Sequence, residues 1–144
     1  MDVMRAAIAA MAILGAGAFG GAGLAAADPG APSADQLTSD LQVVLNTGAS
    51  DAERAAKLQG GQAAVPTANN IANQMNRYSA LFDWRVQNPT VNGDRVDAQL
   101  AVTVPVMGTR THDIYWVQQD GDWKLSNASA CVIATQVAAT ECTV

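Results

Sequence analysis

The chain has 144 residues, a formal charge of −5 and 49% apolar residues. That length holds one domain. Lysine and arginine stand singly, with no basic run, which argues against a nucleic-acid partner.

Met1 to Ala27 reads as a secretory signal peptide. Arg5 gives it a positive start, and Ala6 to Leu24 is uncharged and rich in Ala, Gly, Ile, Leu and Met. Ala25-Ala26-Ala27 then places small side chains before Asp28, a pattern that export peptidases cut, so cleavage is expected between Ala27 and Asp28. The alternative is an uncleaved anchor, since about 20 apolar residues can cross a bilayer. Glycine and alanine make a weak span, so removal is the expectation. No Arg-Arg pair directs the chain elsewhere. The expected organisation is a signal peptide over 1–27, a Pro/Gly linker over 28–33 and a single domain over 34–144. The protein is expected to be secreted or held in the cell envelope, monomeric, with no membrane span after signal removal.

Ser33 with Gln36 forms the pattern of a capping box and opens a helix. Leu37, Leu41, Val44 and Leu45 give it one apolar stripe, and Gly48 is expected to end it. Ser50 with Glu53 repeats the box and predicts a second helix through Leu58, stopped by Gly60-Gly61. A third helix is predicted over 68–78, with Ile71, Met75 and Tyr78 on one side.

Four strands follow, over 82–88, 95–104, 110–118 and 122–126. In the second, Val96, Ala98, Leu100, Val102 and Val104 alternate with polar or small residues, the period of a strand with one buried face. Asn88-Pro89 ends the first strand and Asn92-Gly93-Asp94 turns into the second. Pro105 to Gly108 breaks the second from the third. Asp120-Gly121 is a strong hairpin signal. It pairs Gln118 with Trp123 and Trp116 with Leu125, and puts Ile114, Trp116, Trp123 and Leu125 on one face. Local connections make a meander the economical order. The fold class is α+β: N-terminal helices packed on a curved four-stranded antiparallel sheet, then a short C-terminal helix. Trp84, Trp116 and Trp123 read as core packing.

Ser129 is placed to cap that last helix. Cys131 and Cys142 are the only cysteines. In an exported chain two cysteines usually pair. A continuous helix would hold their Cα atoms about 16 Å apart, too far for a bridge. A bond therefore requires the helix to end near Ala138 or Ala139. Two free thiols or an intermolecular bridge are the alternatives.

Catalytic sets are absent from the pattern. His112 is the only histidine, and its strand neighbour Asp113 points to the other face, so the two cannot act as base and orienter. A hydrogen-bonded packing role is the expectation for His112. One His and two paired cysteines supply no metal site. No phosphate-binding glycine loop is present and no cofactor is expected. The expected role is non-catalytic binding or interaction with an unidentified protein or envelope partner. The alternative is a small-molecule- or lipid-binding cone with weak isomerase- or hydrolase-type activity, whose candidate groups are Asp83, Asp97 and His112.

Asp35-Gln36-Leu37-Thr38-Ser39-Asp40-Leu41 at the start of the domain, and Gly121-Asp122-Trp123-Lys124-Leu125-Ser126-Asn127-Ala128-Ser129 at the end of the sheet, resemble the mycobacterial-type low-molecular-weight secreted antigens. With the Ala-rich leader, the resemblance covers nearly all of the mature chain. It implies an exported, non-enzymatic protein with a cystatin-like or nuclear-transport-factor-like cone and no catalytic residues to transfer. Cys131, Cys142 and a longer final hairpin depart from that family.

Overall fold

A computed structural model describes residues 31–144 of the protein. The expected signal peptide and the Ala27–Asp28 cleavage point lie outside the described residues. Pro32–Val144 forms one compact unit.

Helix α1, Ala34–Val44, starts where Ser33 predicts: the Ser33 hydroxyl accepts from the Gln36 amide. Its apolar stripe is fully buried, with Leu37, Leu41 and Val44 at most 2% exposed. Each such side chain contributes about 1.5–3 kcal/mol of transfer free energy. The helix stops at Val44, four residues before Gly48, contrary to expectation. The Asn46 carboxamide accepts from the Gly48 amide at 2.8 Å, and this local turn competes with further helix.

Helix α2, Asp51–Ala55, has the reciprocal Ser50–Glu53 capping box. It ends short of the predicted Leu58 because residues 57–59 do something else. Leu125 donates its amide to the Lys57 carbonyl and accepts from the Gln59 amide. This short parallel bridge covers the free edge of the last strand, a position that otherwise invites aggregation. A 3-10 turn, Gly61–Ala64, leads into α3, Val65–Arg77, with Pro66 in its first turn. Proline is suited to that position because the first amides lack helical partners. Ile71 and Met75 are buried, but Tyr78 is 49% exposed. It lies beyond the last helical residue, where φ is −113°, and so leaves the stripe predicted for it.

Strands β1, Asp83–Asn92, β2, Arg95–Val104, β3, Gly108–Gln119, and β4, Asp122–Leu125, pair antiparallel in chain order. The class is α+β, as the sequence predicts. β1 runs past Pro89 instead of ending there. Asn88 takes a φ of 55°, and the register shifts between Gln87 and Thr90. Asn88 and Pro89 together face one β2 residue, so a bulge absorbs the missing proline donor on an edge strand. The Asp120-Gly121 hairpin has the predicted register, Gln118 opposite Trp123 and Trp116 opposite Leu125. Both turn residues have positive φ, 57° and 82°, as a type I′ turn requires.

The helices cover one face of this sheet. Trp116, Val96, Leu100, Ile114 and Leu125 meet Leu37, Leu41, Ile71 and Ile133 in one cluster. Arg54 also lies inside, 1% exposed. Its Nε donates to the Val44 carbonyl at 2.9 Å and Nη1 donates to Asn69. The cation thus satisfies an orphan carbonyl at the end of α1 and ties it to α3.

Helix α4, Asn127–Val132, continues through a π turn, Ile133–Val137. Its cap is Ser126 rather than the predicted Ser129. The Ser129 hydroxyl is committed to the sheet, where it accepts from the Tyr115 amide. After Ala138 the chain turns at Ala139, φ 52°, which is where a Cys131–Cys142 bridge requires the helix to end. The two sulfurs are bonded, with Cα atoms 5.2 Å apart. Thr143 then docks on α3: the Thr67 hydroxyl accepts from its amide at 3.0 Å and donates to its carbonyl at 2.9 Å.

Candidate functional site

The inward face of β2 passes from core to open space along one strand. Val96 and Leu100 are fully buried, whereas Val102 and Val104, on the same parity, are only half-buried. The sheet outruns its helices at this end, since α3 has already stopped at Arg77. A cleft opens there, about 310 Å³, between Met75, Tyr78, Phe82, Val102, Val104 and residues 137–139. A smaller cavity of about 120 Å³ adjoins it through Val102, Val104 and Val137, and adds Met107, Arg110, His112 and Gln136.

The rim is apolar and strained. Val104, Pro105, Val106 and Met107 make a tight turn closed by the Met107 amide on the Val104 carbonyl at 3.0 Å. Val106 has a φ of 78°, a region that a β-branched residue rarely enters. Its side chain is fully solvent-exposed, and Met107 is 76% exposed.

His112 is half-buried on the helix-covered face and lines the smaller cavity. Its side chain makes no hydrogen bond among the described residues, so the predicted hydrogen-bonded packing role is not what the structure gives it. Asp113 faces the opposite side, in an outer groove with Asp97 and Gln99. Asp83 is exposed at the start of β1. The three candidate acid–base groups are therefore not brought together. Arg110 was not singled out by any motif. Its parity with His112, Ile114 and Trp116 was the available signal.

The outer face of the sheet carries a polar strap. The Arg95 guanidinium reaches the Asp97 carboxylate at 2.7 Å and lies 3.7 Å from the centre of the Tyr115 ring. Asn92 donates to the same carboxylate at 2.8 Å. The hydrogen bond from Arg95, then that from Asn92, holds the Asp97 carboxyl below the usual carboxylate range. These charges satisfy one another.

Trp116 is core. Trp84 and Trp123 are half-buried, and Trp84 lines a further hollow with Met75, Phe82 and Asp83. Among the described residues no group of His, Cys, Asp and Glu is placed to hold a metal ion, and no helix is long and apolar enough to cross a membrane.

A sequence model of one family, the low molecular weight antigen MTB12, C-terminal domain, matches residues 30–142. The chain belongs to that family. Within this family member the run from Gly121 to Ser129 has a physical meaning residue by residue. Gly121 makes the turn, Leu125 enters the core, Ser126 caps α4 and Ser129 completes the β3 ladder. A comparison with curated proteins finds no match. Among solved structures, a Campylobacter jejuni protein described as an NTF2-like transpeptidase is similar, with 13% identity and a TM-score of 0.36 over 64% of this chain and 94% of that one. Likeness of that degree carries no activity across.

Proposed function

We propose that this member of the antigen family is an exported, non-catalytic binding protein whose binding site is the cleft beside Val102 and Val104. The observation that carries the reading is the half-open apolar cleft of about 310 Å³, at the lower end of the range typical of ligand pockets. Open apolar surface costs solubility and stability unless something uses it. A non-catalytic role is supported by the dispersal of Asp83, Asp97 and His112, because a general base needs an orienting partner within hydrogen-bond reach. Export is supported by the leader pattern ahead of Asp28 and by a cysteine pair suited to an oxidising compartment.

Two measurements test this. Mass spectrometry of the protein from culture supernatant should find an N-terminus at Asp28; a chain retaining Met1 in the cell fraction counts against export. Titration with 1-dodecanol below its solubility limit should shift the methyl resonances of Val102, Val104 and Val137, and Val104→Asp should abolish the effect. Shifts scattered over the surface, or none, would remove the cleft as the binding site.

A further inference from the structure

Resting on the cleft as a binding site, we infer that its ligand is a single-chain amphiphile with an anionic head, held by Arg110 and His112 while its apolar chain runs over Val102, Val104 and Val137 toward Phe82.

Charge complementarity is the first ground. The whole chain is acidic, at −5, yet among the described residues no carboxylate lines either of the two adjoining cavities. Asp83 lines a separate hollow that shares Met75 and Phe82 with the larger cavity. The Arg110 side chain makes no ion pair or hydrogen bond among the described residues. It is an unspent cation at the mouth of an apolar site. Guanidinium donors match a carboxylate in both charge and fork geometry. His112 and Gln136 add two further polar groups beside it.

The gradient along the site is the second ground. Arg110 faces Val102 across the β2–β3 ladder, and His112 faces Leu100. Polar lining therefore gathers in the smaller cavity and apolar lining in the larger one, with the three shared valines between them. A ligand filling both needs a charged end and a hydrocarbon end. The size admits one chain rather than two. The C-terminal helix is also irregular at this point: the Ala138 amide reaches back to the Ile133 carbonyl at 2.9 Å. Such π turns recur where a helix is adapted to a site, and this one sets Gln136 and Val137 into the cavity wall.

Calorimetric titration with laurate, 1-dodecanol and dodecyltrimethylammonium, all below aggregation, tests the head-group assignment. Laurate should bind roughly fivefold to tenfold more tightly than the alcohol, the scale of a partly exposed charge-assisted contact. The advantage should shrink at high salt. In Arg110→Gln, a surface change that should leave the thermal midpoint in place, the two affinities should converge. Equal binding of laurate and dodecanol, a preference for the cationic probe, or an undiminished laurate preference in R110Q would overturn the assignment while leaving the cleft intact. Failure of both laurate and dodecanol to bind would overturn the cleft and the assignment together.

Discussion

The Ser129 hydroxyl accepts the Tyr115 amide hydrogen at 2.7 Å, so a helix side chain fills the place of a strand residue that β4 does not supply. β4 stops at Leu125, opposite Trp116. The next amide, Ser126, still reaches the Tyr115 carbonyl at 3.1 Å. The chain then turns into α4, and the Tyr115 amide would be left without an acceptor. Ser129 is 1% exposed, so water does not replace it.

Ser129→Ala should therefore lower the free energy of unfolding by about 1–3 kcal/mol, the cost of a buried donor left unmade. Urea denaturation measures it. Hydrogen exchange at the Tyr115 amide should speed up in the same variant, while α4 persists because Ser126 remains its cap. An unchanged midpoint with a protected Tyr115 amide would refute the account.

Val106 gives a prediction of the opposite sign. Its turn has proline before it and a φ of 78° at Val106 itself, the position where this kind of turn calls for glycine. The side chain makes up for none of this strain, since it is fully exposed. Val106→Gly should stabilise the domain by about 0.5–1 kcal/mol, the left-handed penalty less the extra freedom of glycine in the unfolded chain. A lower melting temperature in the variant would mean that Val106 has packing the rim geometry does not reveal.

Asp97 supplies a pH dependence. Its carboxyl is held low by the Arg95 hydrogen bond first and by Asn92 second. The folded state thus binds its proton less readily than the unfolded chain. The resulting stabilisation is complete above the ordinary aspartate range and is lost as pH falls through the depressed folded value. Side-chain NMR titration should place Asp97 below ordinary aspartate, and Arg95→Gln should bring it back up. The group is exposed enough for solvent to screen the pair, so the effect should weaken with salt. An Asp97 titration that ignores the Arg95 substitution would show that the ion pair is not maintained in solution.

Much of the fold was legible because short-range signals were unambiguous. Asp120-Gly121 set the β3–β4 register by itself, and the period-two pattern placed β2 at its observed limits. The misreadings came where a side chain or backbone had two possible partners. Ser126 and Ser129 are both good caps, and only the sheet decides between them. Residues 57–59 could extend α2, but Leu125 offers a bridge. Pro89 reads as a strand end unless the edge strand accommodates a bulge. The cleft was less legible still, because Val102 and Val104 look like core by parity. Their half-exposure depends on where α3 stops, a long-range fact. Arg110 was visible only as a strand residue until its neighbours proved free of carboxylates.

The Cys131–Cys142 bridge connects stability to the site. It closes a short loop, the cysteines being separated by 11 in sequence, and should contribute about 2–3 kcal/mol by restricting the unfolded chain. Its native-state consequence is more specific. The segment it closes includes Val137, Ala138 and Ala139, which form one wall of the cleft, and the tail beyond it fastens to Thr67 through Thr143. Thiol titration under denaturing, non-reducing conditions should find no free thiol. The double variant Cys131→Ser, Cys142→Ser should lose about 2–3 kcal/mol, and its Thr143 amide should exchange faster than in the parent. Apolar probes should bind the cleft more weakly, since that wall is then free to move. The Tyr115 amide, held by Ser129 before the bridged segment begins, should keep most of its local protection. Uniform acceleration at both amides would mean that the bridge supports the whole fold rather than the wall of the cleft.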